Sequence, residues 1–159
     1  MKKSKLLLVC FMALFIAYVN QSCTEPNVTP SEFVADDATF AGYASWQKFT
    51  ETGLNPTLGS MAHGGQDSTT VRDIYYKDSQ DPESGTYPVG TVIYKNVTSP
   101  AGLDAHFAMV KRGNDFNPTN NDWEWFILDA TGSITTRGGV TMGCNGCHSA
   151  ATTDYSFIK

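Results

Sequence analysis

Short runs rich in β-branched and aromatic residues recur between residues 69 and 136 and predict β-strands. Short polar segments separate five such runs, at residues 69–76, 90–97, 106–111, 123–129 and 133–136. Between Phe33 and Phe49 the apolar residues recur instead at spacings of three and four, which predicts a helix over residues 36–51 that Gly53 would end. Consecutive strands with short connections favour an antiparallel arrangement, so the expected fold is α+β, an antiparallel β-sheet with flanking helices.

The first 22 residues have the pattern of an export signal. Three lysines precede an apolar run from Leu6 to Val19, which is shorter than the ~20 residues of a transmembrane helix. The tetrapeptide Asn-Gln-Ser-Cys that ends at Cys23 resembles the cleavage box of bacterial lipoproteins. We therefore expect residues 1–22 to be removed and Cys23 to be lipidated, with a plain secretory signal and a free Cys23 as the alternative.

The rest of the chain is expected to form one domain behind a short tether. Residues 23–30 contain two prolines and predict an extended, lipidated tether, and residues 31–159 would form the domain. Removal of the leader leaves 8 basic against 16 acidic residues, a formal charge of −8 that disfavours a nucleic-acid partner. We expect a cell-envelope protein that is held at a membrane by its lipid anchor, facing the periplasm or in the outer membrane.

The most specific motif lies near the C-terminus, where Cys144 and Cys147 are followed directly by His148. Covalent haem attachment requires this spacing, because each sulfur can add to one haem vinyl group while the histidine ligates the iron. A zinc site would need a second cysteine pair, and the glycine-rich residues 138–143 differ from the strand that usually precedes a Cys-X-X-Cys redox helix. A disulfide is the remaining alternative. The motif predicts one covalent haem c with His148 as the metal ligand.

Several short segments of the domain can be compared with known proteins through their order and spacing along the chain. They lie at residues 43–46, 87–95, 108–112 and 121–125, and the haem motif with Asp154 and Phe157 follows them. Their order and spacing resemble those of the cytochrome P-460 family and of its relative cytochrome c′-beta, from about Trp46 to Phe157. The resemblance implies a sheet-rich mono-haem protein, often a homodimer, with five-coordinate iron and one face open to a small nitrogen-oxide ligand.

The two branches of this family differ in their chemistry. In the enzymes, a strand lysine is bonded to the porphyrin, and hydroxylamine is oxidised with an external electron acceptor. In the c′-beta branch the bond is missing and the protein binds gases. The expected function is therefore that of a haem c protein that binds and oxidises hydroxylamine or nitric oxide, as in a hydroxylamine oxidoreductase of the P-460 type. The alternatives are a gas-binding protein and a six-coordinate electron carrier.

The resemblance assigns roles to residues in the strands. Lys95 lies at the position of the cross-linking lysine, on the same predicted strand face as Thr91 and Ile93; a solvated strand lysine is the alternative. Phe107 stands where the hydroxylamine-oxidising members have a carboxylate, and an aromatic ring cannot accept protons. It could exclude water from a gas pocket or belong to the core. A register shifted by one residue would instead bring His106, a candidate base, into the pocket.

Five further residues have open interpretations. Asp154 could accept the N–H of the His148 ring or form a turn. His63, in a glycine-rich loop, could cover the haem edge or pair with a haem propionate, with a solvated loop position as the alternative. The sulfur atoms of three methionines could supply a sixth iron ligand or fill gaps in the core: Met61, Met109 and Met142.

Overall fold

The structure, a computed structural model, describes residues 31–53, 63, 68–79 and 85–157. The predicted export signal, the lipidation site at Cys23 and the tether lie outside these residues, as does Met61. Within the described part of the chain, no helix has the length and apolar character needed to cross a membrane.

Six strands form one sheet in which each strand pairs antiparallel with the next along the chain. They are β1 (Gln47–Thr52), β2 (Val71–Tyr76), β3 (Val92–Thr98), β4 (Asp104–Lys111), β5 (Trp123–Leu128) and β6 (Ile134–Gly138). The predicted antiparallel sheet is confirmed, and each of the five predicted strands overlaps one of β2 to β6. The fold is mostly β with some helix, because the helical elements in the described ranges are single turns: α1 (Asp37–Phe40), α2 (Cys144–His148) and 3₁₀ turns at Tyr43–Ser45, Lys77–Ser79 and Pro118–Asn120.

The helix predicted near the N-terminus is wrong beyond its first turn. Asp36 begins α1 with a capping box: its carboxylate accepts from the Thr39 backbone N–H, and the Thr39 hydroxyl accepts from the Asp36 backbone N–H. Gly42 then adopts a φ of 72°, which turns the chain away from the helical path, and β1 follows in register with β2. The helix-like spacing of aromatic residues arises from consecutive turns that place Phe40 and Tyr43 against the sheet.

The sheet buries side chains on both faces, because side chains alternate along each strand. The N-terminal face packs against α1 and the turn after it, and its core consists of Ala35, Phe40, Tyr75, Val92, Tyr94, Ala108, Val110, Phe126 and Leu128. The α2 face packs against α2, and its core consists of Ile74, Tyr76, Tyr87, Ile93, Met109, Trp123 and Trp125. The predicted separation of Ile93 from Val92 and Tyr94 is confirmed, so α2 lies on the same face of the sheet as Ile93.

His106 lies on the N-terminal face of the sheet. The alternative register, which would place His106 on the same face as Lys95, is therefore wrong. Its Nδ1 is hydrogen-bonded to the Tyr94 hydroxyl at 2.8 Å, and the residue is buried. Its Nε2 lies 3.0 Å from an Asp104 carboxylate oxygen, without the alignment of a hydrogen bond. The reason is strand alternation: because Phe107 pairs with Lys95 on the α2 face, the neighbouring residue must point to the other side.

Candidate functional site

Asn145, which lies between the two cysteines, fixes the single turn of α2 to the sheet. Trp125 Nε1 donates a hydrogen bond of 2.7 Å to Asn145 Oδ1, and Asn145 Nδ2 donates one of 3.1 Å to the Gly139 carbonyl. Both bonds are part-buried. A five-residue helix is too short to be stable by itself, so these contacts with the sheet hold it.

The ring of His148 is oriented by a backbone carbonyl. Its Nδ1 donates a hydrogen bond of 2.7 Å to the carbonyl of Tyr155, while Nε2 makes no hydrogen bond to a described residue. The ring packs 4.6 Å from the Trp125 ring and 5.4 Å from the Phe157 ring, measured between centroids. Burial lowers the pKa of His148 to about 4, and the Tyr155 carbonyl opposes this shift. At neutral pH the imidazole is therefore uncharged, with the proton on Nδ1 and a lone pair on Nε2 that can ligate a metal.

Asp154 is not the hydrogen-bond partner of His148, contrary to one of the two interpretations offered for it. Its carboxylate accepts hydrogen bonds from four donors: Lys111 Nζ at 2.8 and 3.1 Å, the Tyr87 backbone N–H at 2.8 Å, Asn121 Nδ2 at 2.8 Å and Trp123 Nε1 at 3.3 Å. The turn interpretation is supported, since Thr153 and Ser156 form a β-bridge around it. Asp154 thus anchors the turn whose next residue, Tyr155, orients His148.

The two cysteines of the motif are free thiols in different surroundings. Cys147 is exposed, whereas Cys144 is half-buried and packs against the α2 face. Burial raises the pKa of the Cys144 thiol. A disulfide is not present, and the described residues contain no group of three or more His, Cys, Asp or Glu side chains placed to hold a metal ion. Two free thiols and one neutral imidazole on a single turn form the donor set that covalent haem attachment uses.

Lys95 and Phe107 lie opposite one another in β3 and β4, on the same face as α2. Lys95 is half-buried. Burial, together with the charge of Arg72, lowers its pKa to about 8, and Glu51 opposes this shift. The solvated alternative places the amine in water, whereas Lys95 is half-buried on the α2 face. The structure therefore groups Lys95, Phe107 and His148 on one side of the sheet.

His63 lies beside this group of residues. Its sequence context did not predict a contact with Phe107. Its ring centroid lies 4.1 Å from that of Phe107 and 5.9 Å from that of His148. Its Nδ1 is buried and has no hydrogen-bond partner among the described residues, and burial lowers the pKa of His63 to about 2. The solvated interpretation of this histidine is therefore wrong. Nothing in the glycine-rich sequence around it indicates which part of the sheet it contacts.

Comparisons with protein-family models, with curated proteins and with solved structures found no match to this chain.

Proposed function

We propose that this chain is a mono-haem c-type cytochrome, similar to the cytochrome P-460 family, that binds hydroxylamine or nitric oxide at an iron held by His148. The observation that carries the proposal is the state of His148: a neutral ring, fixed through Nδ1 by the Tyr155 carbonyl, directly after two free thiols. Haem, when bound, supplies an iron that exchanges electrons and offers a coordination position to a small ligand. Cys144 and Cys147 hold it covalently in this proposal.

The α2 face supplies suitable surroundings for a porphyrin and a small ligand. Its core is apolar and aromatic, which limits the access of water to the neighbourhood of His148. Phe107 extends this apolar surface beside His63. Its side chain has no oxygen or nitrogen atom that could accept a proton. An apolar neighbour of this kind favours a neutral diatomic gas over a substrate that must be deprotonated.

In the enzyme form of the proposal, the protein oxidises hydroxylamine, which claims more than the binding of a gas. Conversion of two hydroxylamine molecules to one nitrous oxide and one water releases four protons and four electrons, and an external acceptor takes up the electrons. The desolvated amine of Lys95 on the α2 face supports this form, because the enzymes that the chain resembles carry a lysine bonded to the porphyrin. Phe107 supports the gas-binding form.

One optical titration of the purified haem protein separates these two forms. A high-spin ferric spectrum that changes with hydroxylamine, together with bleaching of an added electron acceptor, is expected for the enzyme. A response to nitric oxide without acceptor reduction is expected for the gas binder. A preparation that responds to neither compound contradicts the proposal.

The proposed cellular setting follows from the N-terminal sequence. The export signal and the lipidation box support a protein anchored in the cell envelope through Cys23, where haem attachment to cysteines takes place in bacteria. Labelling with a fatty-acid analogue should mark the wild-type chain and leave the Cys23→Ala variant unmarked. A homodimer remains part of the proposal because the resembling proteins often form one.

A covalent bond between Lys95 and the porphyrin would be visible after unfolding. We expect the denatured haem protein to keep an absorption spectrum unlike that of ordinary haem c, and the Lys95→Ala variant to show the ordinary spectrum. Formation of the bond releases two protons and two electrons, the latter to the external acceptor. The Lys48→Ala variant is the matched control, because Lys48 is an exposed lysine of β1 that pairs with Asp73 at 3.4 Å. Identical spectra for the wild type and Lys95→Ala would show that no bond forms.

A six-coordinate electron carrier is the second candidate, and His63 is the observation that favours it. A second imidazole near His148, with an unpartnered buried nitrogen, is the side chain that could occupy the remaining coordination position. Occupation of that position would leave no site for hydroxylamine or nitric oxide. This candidate therefore predicts a low-spin iron.

The spin state of the His63→Ala variant tests this candidate. If His63 ligates the iron, the wild type is low-spin by electron paramagnetic resonance and the variant becomes high-spin and reactive toward nitric oxide. If the first candidate holds, both proteins are high-spin. The Met142→Leu variant serves as the control, since Met142 packs against the α2 face and is one of two candidate sulfur ligands there, with Met109.

A further inference from the structure

Arg72 is a buried cation whose hydrogen-bonding capacity is largely unused. It lies on the α2 side of β2, and only 1% of its surface is exposed. Its Nη1 donates to the Gly53 carbonyl, whereas Nε and Nη2 have no hydrogen-bond partner in the described part of the chain. A guanidinium nitrogen that is removed from water without an acceptor is strongly unfavourable. The two nitrogens therefore indicate an acceptor that the described residues do not supply.

The free edge of the guanidinium has a specific shape. Nε and Nη2 lie on the same edge of the group, and their N–H bonds point in parallel. This edge matches a planar anion with two oxygens, which it can bind through two hydrogen bonds at once. A single ammonium group has no such preference. The unused atoms of Arg72 are thus those that recognise a carboxylate or a similar oxyanion.

Lys95 adds a second positive charge beside this edge. Because Ile74 is paired with Lys95 and Arg72 with Val97, Arg72 and Lys95 are diagonal neighbours on one face of the sheet. No described carboxylate lies within 4.0 Å of either side-chain nitrogen group. The charge of Arg72 contributes to the lowered pKa of Lys95. Glu51, which is paired with Arg72 across β1 and β2, acts in the opposite direction on the pKa of Lys95 and forms no ion pair with it.

We propose that Arg72, assisted by Lys95, forms an anion site on the α2 face for a planar anion with two oxygens. Two sources supply this chemistry. One is a propionate of the porphyrin, and this source rests on the proposed haem function. The other is a free anion, such as nitrite or formate. Arg72 carries the site whether or not Lys95 is bonded to the porphyrin, because its fork makes the two hydrogen bonds.

The first arm of the test measures the binding of a free anion. Thermal unfolding of the purified haem protein is followed with increasing formate, against chloride at equal ionic strength. We expect formate to raise the Tm by about 5 °C in a saturable manner, since a ligand that binds the folded state stabilises it. Arg72→Gln should lose this rise, and Arg72→Lys, which keeps the charge without the fork, should retain only part of it. Arg112→Gln is the control, because Arg112 already pairs with Glu32 and Glu124.

The second arm examines the propionates. If formate has no effect on the wild type, the propionate bands in the resonance Raman spectrum should shift in Arg72→Gln and stay unchanged in Arg112→Gln. Such a shift shows that a propionate occupies the site. Absence of both the formate response and the Raman shift overturns the anion site. A wild-type preparation without haem contradicts the proposed function instead, and the formate arm alone then decides the anion site.

Discussion

Replacement of both Cys144 and Cys147 by serine, made together with Lys95→Ala, is expected to remove all covalently bound haem from the protein. A hydroxyl does not form the stable thioether that a thiol forms with a haem vinyl group, and no other described cysteine lies nearby. In the wild type, denaturing mass spectrometry should give the polypeptide mass plus one haem. The triple variant should give the polypeptide mass alone and no haem-stained band on a denaturing gel, whereas Lys95→Ala by itself should keep its thioether-bound haem.

The control for this experiment is a change in the same short segment that spares the thiols. Ser149→Ala removes a hydroxyl that donates to the Gly146 carbonyl at the end of α2, and the side chain is exposed. This variant should keep its covalent haem. A colourless wild-type protein from cells with active haem-attachment machinery would contradict the haem proposal itself.

Asp154→Ala is expected to destabilise the protein by about 3–5 kcal/mol, because it removes one partner of a buried ion pair. Lys111 and Asp154 are both buried and lie 2.8 Å apart, and Lys111 would keep its charge above the Trp123 ring without a counter-ion. The Tyr87 backbone N–H and the Asn121 amide would also lose an acceptor. Urea unfolding of the variant and the wild type measures the difference.

An exposed ion pair of the same sheet provides the comparison. Asp73 accepts from Lys48 at 3.4 Å and from Thr50 at 2.6 Å at the surface, and Asp73→Ala should cost about 0–1 kcal/mol. If Asp154→Ala and Asp73→Ala cost the same, the buried network does not stabilise the fold as argued. The Lys111→Met variant combined with Asp154→Ala should recover part of the loss, because it removes the unpaired charge.

Asp154 also connects stability to the candidate site. Asp154 and Tyr155 both have positive φ, 42° and 64°, a region that residues other than glycine rarely adopt. The surrounding hydrogen bonds hold this conformation and thereby present the Tyr155 carbonyl to His148. Loss of that hydrogen bond makes the imidazole a weaker electron donor, so the reduction potential of a haem on His148 should rise in Asp154→Ala.

Local patterns were sufficient for most of the sheet. The strands around Ile93 and Trp125 are short runs rich in β-branched and aromatic residues that end at polar or glycine-containing turns, so their existence followed from short segments. The N-terminal region was different. Its aromatic spacing suited a helix, but Gly42 breaks the helical path and the pairing of β1 with β2 satisfies the backbone instead. The spacing of apolar residues alone does not reveal that this segment pairs with a strand about twenty residues or more further along the chain.

The sequence by itself determined the donor set of the site, because Cys144, Cys147 and His148 are adjacent and need no long-range contact to come together. Strand alternation also determined that Lys95 and Ile93 share a face. Only the tertiary structure decided that Tyr155, and not Asp154, orients His148, that His63 lies beside Phe107, and that two buried nitrogens of Arg72 have no partner among the described residues. These contacts depend on the register between strands and on how the turns pack over the sheet. Packing between distant segments determines both features, so no short segment of the chain predicts them.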